Sequence, residues 1–177
     1  MATTQINYVG DEKPIRYAAM QLRRYLERAT GNDFSIRKSN ALDPDKKGLW
    51  LTVKASGPQE RDGIDVDIGS RGGVITGSNP RSVLLGTYRY LTELGFRWVR
   101  PGRDGEIIPD LDWPHRKRVR LRETPSYHHR GVCIEGASSW SHVRDMIDWI
   151  PKLGFNSYFI QFRSAYHFFE RWYNHPL

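Results

Sequence analysis

Two nearly all-apolar segments on either side of an amphipathic stretch constrain the fold of this chain more than any other feature. The segments run from His129 to Ile134 and from Asn156 to Phe162, the length of ordinary strands. Between them, apolar residues recur at helical spacing: Val143, Met146, Ile147, Ile150 and Leu153. Strands that are apolar on both faces are typical of parallel sheets, which are covered on both sides. The order strand, helix, strand therefore predicts a parallel βαβ unit.

Local signals mark the ends of this helix. Ser138 or Ser139 can cap its first turn, and Pro151 in its last turn should weaken it. Cys133, the single cysteine, lies in the middle of the first strand with no evident base beside it. We therefore expect it to be a small core residue and not a nucleophile, and the chain has no disulfide framework.

The region before this unit has a different pattern, with two amphipathic helices and several short strands. Apolar spacing predicts a helix over residues 13–29, and Gly31 is expected to end it. Turn residues separate four predicted strands, at residues 34–37, 49–53, 64–68 and 74–77. The expected fold class is α/β: an α+β N-terminal domain with a mixed sheet and two helices, then a βαβ unit. A resemblance of residues 128–140 to a known family implies that this unit is the first βαβ of a truncated TIM barrel.

The second helix begins at a stretch that could also be interpreted as a phosphate loop. Gly77-Ser78-Asn79 precedes the helix, but the stretch lacks the glycine spacing and the lysine of a Walker motif. The interpretation that we favour is capping, with Asn79 as the N-cap and Pro80 at the first helical position. Gly95 is expected to end this helix.

The net charge of +7 raises the question of a nucleic-acid partner. Much of the excess lies in residues 114–123, where Arg118, Arg120 and Arg122 alternate with apolar residues. This period of two is typical of an edge strand with one solvated face. Because no recognition helix, zinc-ligand spacing or RNA-binding aromatic signature is present, we expect a charged edge strand or linker and no nucleic-acid partner.

A connector rich in proline, glycine and charge follows Val99, and it places a domain boundary near Glu123 to Pro125. The predicted domains are residues 1–123 and residues 124–177. Two strands and one helix cannot cover their own apolar faces, so we expect the second domain to be an incomplete barrel. The N-terminus has no signal-peptide pattern and no apolar stretch is long enough for a membrane span, which favours a soluble, cytoplasmic protein.

Several segments resemble a known family of enzymes. HHRGVCIEGASSW at 128–140 resembles the first barrel strand of family 20 glycoside hydrolases, the β-N-acetylhexosaminidases. The preceding residues resemble the α/β domain before the barrel in those enzymes and in α-glucuronidases. These residues are AAMQLRRYLERATGNDFSI at 18–36, DGIDVDI at 62–68, ITGSNPRSVLLGTYRYLTELGFRWVRPG at 75–102 and EIIP at 106–109. That domain is called zincin-like, but no His-Glu-x-x-His occurs here, so neither zinc nor another cofactor is implied.

The resemblance implies the N-terminal portion of an exo-acting, hexosaminidase-like glycoside hydrolase with a carbohydrate substrate. Arg130 matches the family arginine that hydrogen-bonds sugar hydroxyls, and Glu135 stands where the family has aspartate. In the family the nucleophile is the acetamido group of the substrate, positioned by an Asp-Glu pair on a later barrel strand. That pair has no counterpart in this chain, so we expect it to be inactive alone. Alternatives are an α-glucuronidase-type hydrolase and a non-catalytic carbohydrate-binding or scaffold module.

Further candidates lie at and beyond the second strand. Gln161 and Arg163 lie at its exit and could contact sugar, and Trp172 is the best candidate among the later aromatic residues for stacking on a sugar ring. His167, Glu170 and His175 lack a fourth ligand at a recognisable spacing, so no metal site is expected. Asp145 and Asp148 are interpreted as the solvated face of the first barrel helix.

Overall fold

The computed structural model describes residues 4–43, 45, 47–54, 61–115, 117–135, 139–161 and 165–174. The chain divides into two compact units. Unit 1 comprises Met1–Arg97 and Ile107–His128, and unit 2 comprises Trp98–Glu106 and His129–Leu177.

The elements follow one another along the chain as helices and short strands. The strands are β1 (Thr4–Val9), β2 (Phe34–Ser39), β3 (Gly48–Val53), β4 (Ile64–Gly69), β5 (Gly72–Gly77), β6 (Arg97–Trp98), β7 (Glu106–Ile107), β8 (Val119–Glu123), β9 (Gly131–Glu135) and β10 (Ser157–Gln161). The α-helices are α1 (Lys13–Thr30), α2 (Pro80–Glu93), α3 (Trp140–Trp149) and α4 (Ala165–Tyr173). Short 3₁₀ turns span Arg103–Gly105 and Ile150–Leu153. None of the helices in the described ranges combines the length and hydropathy of a membrane span.

Unit 1 is built on a six-stranded mixed sheet with the order β2-β1-β3-β5-β4-β8. The first four strands in this order run parallel, and β4 and β8 are each antiparallel to their neighbour. Helix α1 packs on β1, β2 and β3, while α2 packs on β5, β4 and β3 and against α1. The predicted α/β fold with a mixed sheet and two helices is therefore confirmed.

Aromatic packing joins the two helices of unit 1. The rings of Tyr25 and Tyr88 meet edge to face with centroids 6.4 Å apart, and those of Tyr25 and Phe96 do so at 5.6 Å. All three side chains are almost completely buried. Such pairs contribute about 0.5–1.5 kcal/mol each beyond their buried area. The face of α1 predicted from its apolar spacing is the buried one, and the helix ends at Gly31 with the positive φ of 66° that favours glycine there.

The capping interpretation of the second helix is confirmed. The Asn79 side chain accepts a hydrogen bond from the Ser82 amide at 2.8 Å, and the Ser82 hydroxyl accepts one from the Asn79 amide at 2.9 Å. This reciprocal pair is a capping box. The buried carboxylate of Asp62 accepts hydrogen bonds from Asn79 and Arg81 beside it. The polar groups of this helix terminus are thus used within the protein, in contrast to a phosphate loop.

The predicted charged edge strand is β8, at one end of the sheet order. Its arginines reach across to the neighbouring strand β4. Arg118 pairs with Asp67 at 3.1 Å, and Arg122 pairs with Asp65 at 2.5 Å. Exposed charge on an edge strand discourages pairing with another chain, which explains the concentration of arginine here without a nucleic-acid partner.

Strand β1 has no counterpart among the strands predicted from sequence, although it lies inside the sheet between β2 and β3. Of its residues only Ile6 is a fully buried apolar residue, and Asn7 is buried as well. The strand is therefore held by pairing on both of its edges more than by apolar burial. Such pairing depends on residues 25 or more positions away, such as Phe34 and Leu49, and leaves little local signal.

Unit 2 contains the predicted parallel βαβ. Strands β9 and β10 pair in parallel, and Ser139 caps α3 by accepting a hydrogen bond from the His142 amide. The helix changes to a 3₁₀ turn at Ile150, next to Pro151, as the proline predicts. Val143, Met146 and Ile150 are buried, but Ile147 and Leu153 are 42% and 44% exposed.

One face of the β9–β10 ladder is open, and this corrects the prediction for Cys133. Cys133 is exposed, and Phe159, its partner across the ladder, is 58% exposed. Two strands and one helix can cover at most one face of their own sheet. The described part of unit 2 supplies nothing further to cover the other, so the cysteine is not a core residue here.

A single glycine at the β4–β5 turn gives a sharp test of the sheet register. Gly72 has φ of 117°, and a Cβ added there would overlap the carbonyl oxygen of Gly48 on β3. We expect Gly72→Ala to lower the free energy of unfolding by at least about 2 kcal/mol, because it combines backbone strain with a steric clash. Gly69→Ala in the same turn meets no atom within 4 Å and serves as the control. Urea unfolding of both variants measures the difference, and equal stabilities would contradict the register.

A buried tyrosine–histidine pair makes unit 1 sensitive to pH. The Tyr90 hydroxyl and His115 Nε2 are 2.7 Å apart, and both residues are buried. Burial lowers the pKa of His115 from its ordinary value of 6.5; a hydrogen bond to the Lys117 backbone opposes this shift, and the charge of Lys117 adds a smaller lowering. Burial also raises the pKa of Tyr90, so its hydroxyl stays protonated.

This pair predicts how stability depends on pH. Because the pKa of His115 is lower in the folded state, the unfolded state binds the proton first as the pH falls through 6.5. The free energy of unfolding should therefore decrease below about pH 6.5. His115→Gln should flatten this slope in urea titrations between pH 5 and 7.5, whereas His128→Gln, at an exposed position of the same unit, should retain it. A slope that is unchanged in His115→Gln would show that another group is responsible.

Candidate functional site

The carboxyl ends of β9 and β10 bring two predicted site residues to adjacent positions. The strands are parallel, with Ile134 opposite Ile160 and Glu135 opposite Gln161. Neighbouring strands lie about 4.8 Å apart, so these two positions share one edge of the ladder. The side chains of Glu135 and Gln161 lie outside the described residues. A carboxylate accepts hydrogen bonds and an amide both donates and accepts them, which suits both to sugar hydroxyls.

Arg130 lies at the opposite end of β9. Its amide donates to Asn156 Oδ1 at 2.9 Å, and its side-chain Nε donates to the Gly154 carbonyl at 2.9 Å. The Arg130 carbonyl accepts a hydrogen bond from the Asn156 amide at 2.9 Å. At roughly 3.3 Å per residue, its backbone is about 16 Å from that of Glu135. The structure therefore does not bring Arg130 to the edge with Glu135, and its sugar-binding role stays a prediction.

The remaining predicted site residues lie partly or wholly outside the described residues. Arg163 is among the undescribed residues that follow β10. Trp172 lies on α4, but its side chain is outside the description. His167 Nδ1 and Glu170 Oε2 are 3.7 Å apart on the same helix, and His175 is not described. Within the described ranges, no group of three or more His, Cys, Asp or Glu side chains could hold a metal ion.

A serine–histidine pair at the amino end of the ladder was not predicted from sequence. Ser157 Oγ and His129 Nε2 are 2.9 Å apart, and the pair is exposed. Gly131 makes room for it, because a Cβ at that position would lie 2.5 Å from Ser157 Oγ. The two residues are 28 positions apart, so only the strand register reveals the contact. Nucleophilic catalysis also needs a group that orients the histidine, and the described residues give His129 no carboxylate partner. We therefore assign the pair a structural role at this end of the strands.

A buried ion pair within unit 2 was also missed by sequence reasoning. Lys152 Nζ lies 3.5 Å from Glu106 and 2.6 Å from Asp148, and the Lys152 and Glu106 side chains are each only 3% exposed. Asp148, interpreted from sequence as part of a solvated helix face, is 41% exposed and pairs with this lysine. Beside it, Trp149 Nε1 donates to the Trp98 carbonyl at 2.8 Å. These contacts hold residues 98–106 to the end of α3.

Comparison with protein-family models gives no match, and no curated protein sequence matches the chain. Solved structures do match. A mutant β-hexosaminidase from Streptomyces plicatus in complex with its product GlcNAc has a TM-score of 0.61 and 21% identity, over 89% of this chain and 30% of that one. A family GH115 4-O-methyl-α-glucuronidase with specificity for decorated arabinogalactans has a TM-score of 0.58 and 14% identity, over 89% and 25%. CpGH84D has a TM-score of 0.50 and 14% identity, over 90% and 27%.

The chain has a glycoside hydrolase-like fold. At these identities the likeness concerns the fold alone. The chain spans less than a third of the length of the solved structures that it matches. The family resemblance carried by segments such as residues 75–102 and 128–140 thus agrees with the fold of two hydrolases of different specificity.

The buried Lys152 gives a test of how unit 2 is held together. Lys152→Met should lower the stability of this unit by roughly 3–5 kcal/mol, because it leaves the Glu106 carboxylate buried without its partner. The double variant with Glu106→Gln should recover much of the loss, since the uncompensated charge is then removed. Hydrogen exchange of the α3 amides measures both. If the single variant exchanged no faster than the wild type, the ion pair would not support the helix.

Proposed function

We propose that this chain is the N-terminal portion of an exo-acting glycoside hydrolase of hexosaminidase-like type. The observation that carries the proposal is the parallel β9–β10 ladder, which ends with Glu135 and Gln161 side by side. In parallel α/β barrels the loops that follow the carboxyl ends of the strands build the active site. An acidic residue at the end of an apolar strand is in the position where such an enzyme needs a group that binds substrate.

In this proposal Glu135 binds the sugar and does not carry out the cleavage. Glycoside hydrolysis needs an acid together with a nucleophile or base, commonly two carboxyl groups on either side of the scissile bond. Glu135 supplies one carboxyl group at this edge of the ladder. The catalytic Asp-Glu pair that the family resemblance implies is absent from the 177 residues, so we propose that the chain alone does not hydrolyse glycosides.

An α-glucuronidase-type hydrolase is the second candidate. Two observations favour it: the match to the GH115 α-glucuronidase is nearly as good as that to the hexosaminidase, and Glu135 with the following Gly-Ala-Ser-Ser departs from the hexosaminidase pattern. The two candidates differ in the group that the site must recognise, an acetamido group or a uronic-acid carboxylate. The carboxylate of Glu135 would repel a uronic-acid carboxylate unless a cation lies nearby.

Chromogenic substrates separate the candidates. The complete gene product is assayed with an aryl N-acetyl-β-glucosaminide, an aryl α-glucuronide and an aryl β-galactoside, next to the 177-residue chain. The first proposal expects release from the glucosaminide alone, and only by the complete product. Release from the glucuronide instead would favour the second candidate. Hydrolysis by the 177-residue chain would contradict the proposal that this chain alone does not hydrolyse glycosides.

The role of Glu135 is tested in the complete enzyme. Glu135→Gln keeps the shape of the side chain but removes a charged hydrogen-bond acceptor, and such a loss costs roughly 1.5–3 kcal/mol, or about 10- to 100-fold in kcat/KM. Most of the change should appear in KM, because the group binds ground state and transition state alike. Asp145→Asn, at a partly exposed carboxylate of α3 that pairs with its neighbour Arg144, is the control and should leave both constants unchanged. A normal KM in Glu135→Gln would remove this residue from the site.

A further inference from the structure

The side of the unit 1 sheet that faces away from its helices carries a long charged groove. Register defines this side. Ile64, Val66 and Ile68 of β4 are buried, and a Cβ added at Gly86 of α2 would contact Ile64, so these residues lie on the helix side. The alternate residues Asp65 and Asp67 therefore belong to the other side.

The groove consists of two adjoining depressions within unit 1. The first, of about 940 Å³, is lined by Lys54, Asp65, Arg120 and Arg122, and it shares Asp67 with the second, of about 750 Å³, which Lys47 and Arg71 also line. Two depressions that meet at Asp67 can hold successive units of a chain-like ligand.

The groove carries charges of both signs, with an excess of positive charge. The basic side chains that line it are Lys47, Lys54, Arg71, Arg118, Arg120 and Arg122, and the acidic ones are Asp45, Asp65 and Asp67. Arg118 and Arg122 are used in ion pairs with aspartates of β4. In the part of the chain that the structure describes, Arg120, Lys54, Lys47 and Arg71 have no such partner. The groove thus offers two arginines that ion pairs hold in position, and four basic side chains that have no acidic partner among the described residues.

This mixture of charges favours an acidic carbohydrate over a nucleic acid. Asp65 and Asp67 keep 39% and 43% of their side chains exposed. The oxygens of a phosphate backbone only accept hydrogen bonds, so they offer these carboxylates no donor. Sugar hydroxyls, in contrast, donate to carboxylates and accept from guanidinium groups, so both kinds of side chain are useful. The unpaired cations then select sugars that carry a carboxylate, which arginine binds in a bidentate manner.

We propose that this groove binds a chain of uronic acid-containing sugars, with Arg120 and Lys54 as the principal carboxylate-binding groups. The proposal goes beyond the proposed hydrolase function, because it concerns binding by unit 1 and holds whether or not the complete protein cleaves a glycosidic bond. Failure of the hydrolase assays therefore leaves it intact, and failure of binding leaves the hydrolase proposal intact.

The test is a binding titration with a matched pair of ligands. Isothermal titration calorimetry of the full 177-residue chain is carried out with a galacturonic acid hexamer and with its fully methyl-esterified form, which has the same backbone without the charge. We expect the acid form to bind at least roughly tenfold more tightly, which is the effect of one charge-assisted hydrogen bond. Its affinity should fall as sodium chloride is raised from low to high concentration, because the groove is open to solvent.

Two substitutions locate the site. Arg120→Ala and Lys54→Ala should each weaken binding of the acid hexamer by roughly fivefold to tenfold, and neither disrupts an ion pair among the described residues. Arg16→Ala removes the same charge from an exposed position on α1, on the helix side of the sheet, and should leave the affinity unchanged. Thermal unfolding of each variant confirms that the fold is retained.

Five outcomes would overturn the proposal. Three of them are equal affinity for the esterified hexamer, no binding of either ligand at millimolar concentration, and equal loss of affinity in the Arg16→Ala control. The fourth is binding of a thymidine hexanucleotide as tightly as the acid hexamer, which would indicate a general anion surface. Sedimentation equilibrium adds a check on self-association: a dimer that Arg120→Ala dissociates would identify a second copy of the chain as the occupant and would also reject the carbohydrate.

Discussion

Parallel pairing of β9 with β10 is the constraint on which the functional interpretation depends. Two strands can run parallel only if the chain crosses back between them, and α3 with its 3₁₀ turn makes that crossing. The same pairing brings both carboxyl ends to one edge, which is why Glu135 and Gln161 are neighbours although 26 positions separate them in sequence. An antiparallel pair would have placed them at opposite ends. The βαβ connection therefore determines which residues can act together, before any side-chain chemistry is considered.

Features that depend on short stretches of sequence could be predicted, and features that depend on register could not. The sequence pattern that predicts a feature lies within a short stretch of residues in three cases: helix α1, the Asn79 capping box and the arginine-rich edge strand β8. The pairing partners of β1 and the Lys152–Glu106 ion pair join residues far apart in sequence. Cys133 is a further example. Its apolar neighbours in sequence indicate burial, but whether it is buried depends on what covers the β9–β10 ladder, and it is exposed. For the candidate site, sequence gave the strand-end positions but not their pairing.

The two sides of the unit 1 sheet show how one strand pattern meets two different demands. On β4, Ile64, Val66 and Ile68 supply the apolar side that the helices cover, and the aspartates between them supply the other side. A side chain buried against a helix must be apolar or fully paired, whereas one in an open groove stays hydrated and can exchange water for a ligand. Because side chains alternate between the two faces of a strand, the six residues of β4 supply both an apolar side and a charged side. The charged residues of β4 thus lie on the side where they cost least in desolvation.

The distance along β9 limits how the predicted sugar-binding residues can cooperate. Arg130 and Glu135 lie at opposite ends of the strand, about 16 Å apart along the backbone, and Arg130 Nε already donates to the Gly154 carbonyl. That bond ties Arg130 to the turn that leads into β10, which helps to fix the register that pairs Glu135 with Gln161. A single sugar ring is too short to reach between two backbone positions this far apart. The arginine can therefore influence this edge through the register of the ladder, and under the proposed function the sugar contacts at the carboxyl edge are assigned to the residues paired there.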